Sequence, residues 1–167
     1  NDREGELNFA GLLERIGALD GDFFVRFMTS HPKDCSRRLL DLMASSPRIA
    51  KQLHLPVQSG SDRLLKLMNR RYNTAEYLKI IEYAREKMPD IVLTSDIIVG
   101  FPGETEEDFT ATLDLIRQVR YDSLFTFIYS PRKGTPAAEL NDPTPRSVKS
   151  ERFDRLTEQL DILTGMW

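Results

Sequence analysis

Cysteine is almost absent from this sequence. Cys35 is the only one among 167 residues, so neither an internal disulfide nor an all-cysteine metal site can form within one chain. Histidine is nearly as scarce, because only His31 and His54 occur. No third ligand stands at a spacing that would complete a metal site. We therefore predict no resident metal, and we interpret Cys35 as a small packing residue, since no base that could activate it is visible.

Long hydrophobic runs and a strong charge of one sign are missing as well. No stretch approaches the roughly 18 apolar residues of a membrane span, and no signal-peptide pattern opens the chain. With the cysteine usage of a reducing compartment, this predicts a cytoplasmic protein without membrane contact. The net charge of -3 means that any nucleic-acid contact needs local cation clusters. The chain opens NDREGELNF without a methionine, as expected of a piece of a longer protein or of a processed chain.

What the sequence does contain is an alternation of strand-like and helix-like segments. Strand patterns cover DFFVRFMTS, KQLHLPV, DIVLTSDIIVG and YDSLFTFIYS, and helical patterns precede, separate and follow them. This alternation predicts a parallel sheet with right-handed crossovers. Four units do not close an eight-stranded barrel, so half of an open barrel and a small doubly wound sheet both stay open. The barely alternating aliphatic residues of DIVLTSDIIV predict a strand that is buried on both faces.

Polar, glycine-bearing segments follow three of these strands, in HLPVQSGS, DIIVGFPGE and FIYSPRKGT. The carboxyl ends of parallel strands meet at one edge of the sheet, where such folds bind ligands. Gln58 could bind a pair of ribose hydroxyls, and Arg70 could reach a carboxylate. Asp96, inside an aliphatic run, must either pair internally or accept hydrogen bonds from a ligand. Gly100 allows the backbone to approach a flat ring closely.

Simpler interpretations of the same residues stay open. Gln58 could satisfy loop backbone, Asp96 could cap a turn, and Arg70 could be solvated. A serine, Ser59 or Ser61, is expected to cap the helix that follows HLPVQ. A basic patch predicted at this edge indicates either phosphate contact or a solvated rim, and it comprises Arg70, Arg71, Arg132 and Lys133. No GxGxxG or Walker lysine marks a phosphate site.

Three segments carry a resemblance to a known family. LHLPVQSGSDRLLKLMNRRY, TSDIIVGFPGETEEDF and YSPRKGTPAA closely resemble the radical S-adenosylmethionine (SAM) methylthiotransferases. RFMTSHPKD resembles the subgroup that adds a methylthio group to isopentenylated adenosine beside the tRNA anticodon. The similarity runs from about residue 7 to residue 163. It implies an α/β fold, a partial, open β/α barrel of the radical SAM type with roughly four parallel strands.

The resemblance also implies a cofactor, S-adenosylmethionine, and residues that would hold it. Gln58 and Asp96 would bind the ribose and Arg70 the methionine carboxylate. Gly100 would lie against the adenine, as would the end of the last strand at Tyr129 and Ser130. No catalytic side chain and no metal ligand is predicted in this chain.

The family's CxxxCxxC loop, which binds the radical-generating cluster, is missing from this sequence. Residues 1–167 are therefore expected to be the C-terminal part of a radical SAM domain. The second-cluster domain and the RNA-binding barrel would lie in the parent enzyme. That enzyme would carry two 4Fe-4S clusters, none of them ligated here, and would bind the tRNA anticodon stem-loop. This chain alone is expected to be inactive, and its exposed sheet edges predict self-association.

Several alternatives to this function stay open. The threonylcarbamoyl-adenosine branch and the branch acting on a ribosomal-protein aspartate are close relatives of the same family, and QSGSDR favours a tRNA enzyme. A non-catalytic nucleotide-binding α/β module and a plain interaction domain belong to other classes of protein.

Overall fold

The computed structural model describes residues 8–28 and 31–165, without the side chain of residue 164. The helices of this part are α1 (Phe9–Gly17), α2 (Arg37–Ser45), α3 (Asp62–Leu67), α4 (Thr74–Lys87), α5 (Glu106–Val119) and α6 (Arg146–Thr164). The strands are β1 (Gln52–His54), β2 (Val92–Val99) and β3 (Ser123–Ile128), and short 3-10 turns cover Pro32–Asp34 and Pro136–Glu139.

The three strands form one parallel sheet in the order β1-β2-β3. Strands alternate with helices, as the sequence pattern predicts, and the sheet is open. The predicted first strand, residues 22–30, is reduced to a single parallel bridge between Val25 and Ile49. The N–H of Val25 donates to the carbonyl of Arg48 at 2.8 Å, and the N–H of Ala50 to the carbonyl of Val25 at 3.0 Å. Ile49 lies before the first residue of β1, so the pairing with Val25 does not continue along β1. Residues 29 and 30 of the predicted strand lie outside the described residues.

The two faces of the sheet are covered differently. Leu53, Leu93 and Ile97 point to one face and are fully buried with the apolar residues of the helices. On the opposite face, called the bare face below, Phe125 and Phe127 are largely exposed. The prediction that β2 is buried on both faces is confirmed for the first face and only in part for the second, where Thr94 is buried but Asp96 and Ile98 are half-buried.

Side-chain caps fix where the helices begin. Asn73 with Glu76 forms a capping box at α4, and Thr105 with Asp108 forms another at α5. At α3 the cap is Ser61, whose hydroxyl accepts from the N–H of Leu64 at 3.3 Å. These starts place the segments after β1 and β2 at the same edge of the sheet. No helix among the described residues is long and apolar enough to cross a membrane.

Candidate functional site at the carboxyl edge of the sheet

Gln58 lies directly beside Asp96 at the end of β1. Its N–H donates to the carbonyl of Asp96 at 2.9 Å, and its own carbonyl accepts from the N–H of Ile98 at 2.9 Å. Gln58 is buried and has a φ of 73°, a left-handed conformation that is uncommon for a residue with a side chain. No described residue hydrogen-bonds its side-chain amide. Such strained backbone is concentrated at functional sites.

Asp96 lies on the bare face of the sheet and pairs with a histidine. Its Oδ1 is 3.5 Å from Nε2 of His54, and its side chain keeps 27% of its surface exposed. The other ring nitrogen of His54, Nδ1, lies 2.9 Å from the hydroxyl of Thr94. Sequence analysis missed this pair, although Thr94 and Asp96 share one face of β2 and His54 pairs in register with Thr94. Asp96 is therefore oriented by a neighbour while part of its carboxylate stays accessible.

Arg70 also lies near the end of β1, but no described contact joins it to Gln58 or Asp96. Its neighbour Tyr72 donates from its hydroxyl to the carbonyl of Val57 at 2.9 Å, just before Gln58. Burial raises the pKa of Tyr72 to about 12, and the charge of Arg70 opposes this increase. Burial and then Arg70 lower the pKa of His31, whose ring packs edge-on to Tyr72. The positive charge of Arg70 thus acts on the ionisation of both Tyr72 and His31.

Gly100 begins a tight loop after β2. Its φ is +71°, and its N–H donates to a carboxylate oxygen of Glu104 at 2.9 Å. A Cβ at this position would lie 2.7 Å from the side chain of Lys149, so only glycine fits. The closely approaching group here is thus Lys149 of α6. This loop, residues 100–104, is called the glycine loop below.

Tyr129 and Ser130 lie at the end of β3, beside the glycine loop. The N–H of Tyr129 donates to the carbonyl of Val99 at 2.8 Å, and its ring packs edge-on to Phe101 with centroids 5.1 Å apart. Its buried hydroxyl has no hydrogen-bond partner among the described residues. Ser130 is exposed, and both residues line a cavity of about 400 Å³ with Lys149.

A buried polar network fastens the segment after β1 to α5. Asp108 accepts from the hydroxyl of Ser61 at 2.5 Å and pairs with Arg63, which also donates to the carbonyl of Gly103 at 2.6 Å. Burial acts to raise the pKa of Asp108, but hydrogen bonds from Arg63, Ser61 and Thr105 outweigh it and hold that pKa well below its ordinary value. The network holds both loops at the strand ends in fixed positions. In the sequence, the spacing of Thr105 and Asp108 indicates only a helix cap.

The predicted basic patch is partly at this edge. Arg132 and Lys133 are exposed after β3, Arg71 is exposed after α3, and Arg70 is partly buried. No ion pair in the described part of the chain engages any of the four. These four cations are therefore without an acidic partner in the described part of the chain.

The family follows from comparison with known proteins. The sequence pattern of the Radical SAM superfamily matches residues 2–116 of this chain, which is more than half of its length. This chain belongs to the radical SAM superfamily. The predicted resemblance is thereby confirmed at the level of the family.

Relatives of this radical SAM chain include proteins named tRNA-2-methylthio-N(6)-dimethylallyladenosine synthase. The one from Carboxydothermus hydrogenoformans is 54% identical over 157 residues, which are 94% of this chain and 36% of the relative. The one from Clostridium botulinum (strain Loch Maree / Type A3) is 52% identical over 164 residues, or 98% of this chain and 36% of the relative. The chain thus spans about a third of the length of these curated relatives.

A solved radical SAM structure confirms the fold. Coproporphyrinogen III oxidase from Escherichia coli matches with a TM-score of 0.68 and 22% identity, over 93% of this chain and 37% of that one. At this identity the likeness concerns the fold alone. The predicted open α/β architecture of the radical SAM type is confirmed, with three strands in place of roughly four.

Radical SAM proteins use S-adenosylmethionine and a 4Fe-4S cluster. The residues of this chain are suited to the first of these groups but not to the second. Burial raises the pKa of the Cys35 thiol to about 12, whereas cluster ligands are thiolates. One buried thiol cannot supply three ligands, so the residues of this chain do not fit a cluster. No described group of three or more His, Cys, Asp or Glu residues could hold a metal ion. Gln58 and Asp96, which are joined by a backbone hydrogen bond, carry an amide and a partly exposed carboxylate, and groups of these two types can bind the hydroxyls of a ribose.

Proposed function

We propose that the parent of this chain is a radical SAM enzyme that adds a methylthio group to isopentenylated adenosine next to the tRNA anticodon. The observation that carries the proposal is the 52% identity, over 98% of the chain, to synthases whose name states this product. Residues 1–167 would be the C-terminal part of the radical SAM domain. The cluster-binding loop, the second-cluster domain and the RNA-binding barrel would lie elsewhere in the parent.

In this proposal the carboxyl edge of the sheet is one wall of the cofactor pocket. Gln58 and Asp96 hold the ribose hydroxyls, and the hydrogen bond between their backbones supports a shared ligand. Arg70 pairs with the methionine carboxylate, to which its permanent charge is suited. Gly100, whose Cβ space is filled by Lys149, would present the rest of its backbone to the adenine ring, together with the end of β3 at Tyr129 and Ser130.

Gln58, Asp96 and Arg70 would hold the cofactor, which when bound would supply the radical chemistry of the parent enzyme. The residues of this chain bind and orient the cofactor. His54 holds the carboxylate of Asp96 toward the bare face of the sheet, and the network around Asp108 keeps the loops from moving. Because the chain lacks the cluster cysteines, we expect it to be unable to cleave the cofactor alone.

The tRNA anticodon stem-loop is the proposed partner of the parent enzyme. The exposed, unpaired Arg132 and Lys133 support contact with its phosphates. A cytoplasmic location follows from a tRNA substrate. The exposed Phe125 and Phe127 support the prediction that this chain self-associates when it is alone.

The printed name of these relatives favours the dimethylallyladenosine branch over the threonylcarbamoyl-adenosine and ribosomal-protein branches. Membership of the radical SAM superfamily favours an enzyme over a stand-alone nucleotide-binding module. An adenosine module would bind adenosine and S-adenosylhomocysteine equally well, because it would not recognise the amino acid part.

Titration of the chain with S-adenosylhomocysteine, followed by amide NMR, tests the cofactor site. We expect binding that weakens about tenfold or more in Asp96→Ala, a loss of about 1.4 kcal/mol. Asp114→Ala is the matched control, since Asp114 is exposed and its ion-pair partner among the described residues is Arg117, also on α5. The proposal would be refuted if Asp96→Ala, still folded, bound as tightly as the wild type, or if adenosine bound equally well.

A further inference from the structure

Helix α6 reaches the glycine loop through a buried ion pair. Nη1 of Arg152 lies 2.9 Å from a carboxylate oxygen of Glu104 and 3.1 Å from the backbone carbonyl of the same residue. Arg152 is 6% exposed and Glu104 5%. A buried ion pair is stable only when both charged groups are also hydrogen-bonded. The two hydrogen bonds from Arg152 to Glu104 meet this requirement.

The carboxylate of Glu104 also binds the first residue of the glycine loop. The Oε2 of Glu104 that binds Arg152 also accepts the N–H of Gly100 at 2.9 Å. Burial raises the pKa of Glu104, while the Gly100 N–H and Arg152 oppose that increase. Arg152 is therefore one of two groups that favour the charged carboxylate against desolvation. A continuous path of hydrogen bonds runs from α6 to Gly100.

One turn earlier on α6, Lys149 packs against the same glycine. The side chain of Lys149 occupies the space where a Cβ of residue 100 would lie, at 2.7 Å. Lys149 itself is buried and paired with Asp142. Residues 149 and 152 are three apart, so they lie on one face of the helix. This face of α6 therefore contacts the glycine loop at two points: Arg152 binds the side chain of Glu104, and Lys149 packs against the backbone of Gly100.

We propose that Arg152 is a positioning residue for the cofactor pocket, acting on Gly100 through Glu104. The inference rests on the proposed cofactor site, and it assigns a role to α6, a helix outside residues 2–116 that match the superfamily. Arg152 touches no part of the pocket itself. Without its charge, the buried carboxylate of Glu104 loses its partner and turns toward solvent or takes up a proton, and Gly100 loses its fixed position.

The test compares Arg152→Gln and Arg152→Lys with Arg155→Gln. Arg155 lies on the same helix and pairs with Glu106 at 2.7 Å in an exposed position. Glu106 also lies 3.4 Å from Nε of Arg152, so this control measures what the shared, exposed partner contributes, which should be little. Two quantities are measured at a temperature where circular dichroism shows each variant folded. They are the hydrogen-exchange rate of the Gly100 amide and the dissociation constant of S-adenosylhomocysteine.

For Arg152→Gln we expect Gly100 exchange and the dissociation constant each to rise about tenfold or more, as for loss of a buried charged hydrogen bond. Arg152→Lys should recover part of both, and Arg155→Gln should match the wild type. If Arg152→Gln does not fold, Glu104→Gln/Arg152→Gln replaces it. That double variant leaves no buried charge unpaired and keeps an acceptor for Gly100, so it should fold. Because a neutral amide bond replaces the charge-assisted contacts, its Gly100 exchange rate and its dissociation constant should both exceed the wild-type values, and wild-type values for both would overturn the positioning role.

The outcomes separate this inference from the cofactor proposal. Wild-type affinity in a folded Arg152→Gln chain would overturn the positioning role and leave the cofactor site intact. Unchanged Gly100 exchange would overturn it as well. A wild-type chain whose amides do not respond to millimolar S-adenosylhomocysteine would instead contradict the cofactor site, and with it the effect of Arg152 on affinity.

Discussion

Gly60 offers a sharp test of how the segment after β1 is held. A Cβ at this position would lie 2.4 Å from the carbonyl oxygen of Ala111 and 2.6 Å from the Cα of Thr112. Both are backbone atoms inside α5, so they cannot move aside. In Gly60→Ala the segment must therefore lift off the helix. The hydrogen bond from the Gly60 N–H to the Thr112 hydroxyl, 2.9 Å long, would be lost, as would the 3.3 Å contact between the Ser59 and Thr112 hydroxyls.

The expected cost follows from these losses. Overpacking of a core contact costs about 1 to 3 kcal/mol, and two hydrogen bonds add about 0.5 to 1.5 kcal/mol each. Gly60→Ala should therefore lower the free energy of unfolding by about 2 to 6 kcal/mol. Urea denaturation followed by circular dichroism measures this loss as a lower midpoint at unchanged slope.

Gly103→Ala is the matched control. Gly103 has a φ of +77°, but a Cβ there would meet nothing within 4 Å. Its cost is that of left-handed backbone alone, about 1 to 2 kcal/mol. The reasoning about Gly60 would be refuted if Gly60→Ala were no more destabilising than Gly103→Ala.

Two further predictions concern titratable groups. Because the pKa of Asp108 is below its ordinary value of 3.8, its contribution to stability is present above that pH and is lost as the pH falls below it. Asp108→Asn should therefore lower the free energy of unfolding by about 2 kcal/mol or more at pH 7. In a plot of urea midpoint against pH, the decrease at acidic pH should be shallower in this variant than in the wild type, and an equally steep decrease would contradict the reasoning. Cys35, with a pKa raised to about 12 by burial, should react with Ellman's reagent at pH 8 only on unfolding. Rapid reaction of the folded chain, compared with a free thiol, would show that the thiol is accessible.

Much of the fold is predictable because it depends on local patterns. The aliphatic run of β2 is a short-range signal that predicts a strand, and the structure confirms it. The spacing of Asn73 with Glu76 and of Thr105 with Asp108 is likewise a local signal, typical of a capping box, and these pairs begin α4 and α5. The segment around Val25 has an equally strong strand pattern. Its pairing is limited by Ile49, a residue whose position depends on the turn before β1. The strand propensity of a segment carries no information about where the neighbouring strand begins.

The candidate site was predictable only in part. The closeness of Gln58 and Asp96 follows from parallel topology, since adjacent strands end at one edge. The left-handed backbone of Gln58, the pairing of Asp96 with His54 and the ion pair between Glu104 and Arg152 depend on register and on contacts between distant segments. Those contacts exist only after the helices have packed, so no local sequence pattern specifies them.

The central claim is that the carboxyl edge of the sheet holds the cofactor. Amide chemical-shift mapping of the ¹⁵N-labelled chain with S-adenosylhomocysteine tests it most directly. The account predicts saturable shifts concentrated at Gln58, Asp96 and Gly100, with the opposite end of the sheet, at Gln52, Val92 and Ser123, unaffected. Shifts concentrated at that opposite end, or none at millimolar ligand, would contradict it.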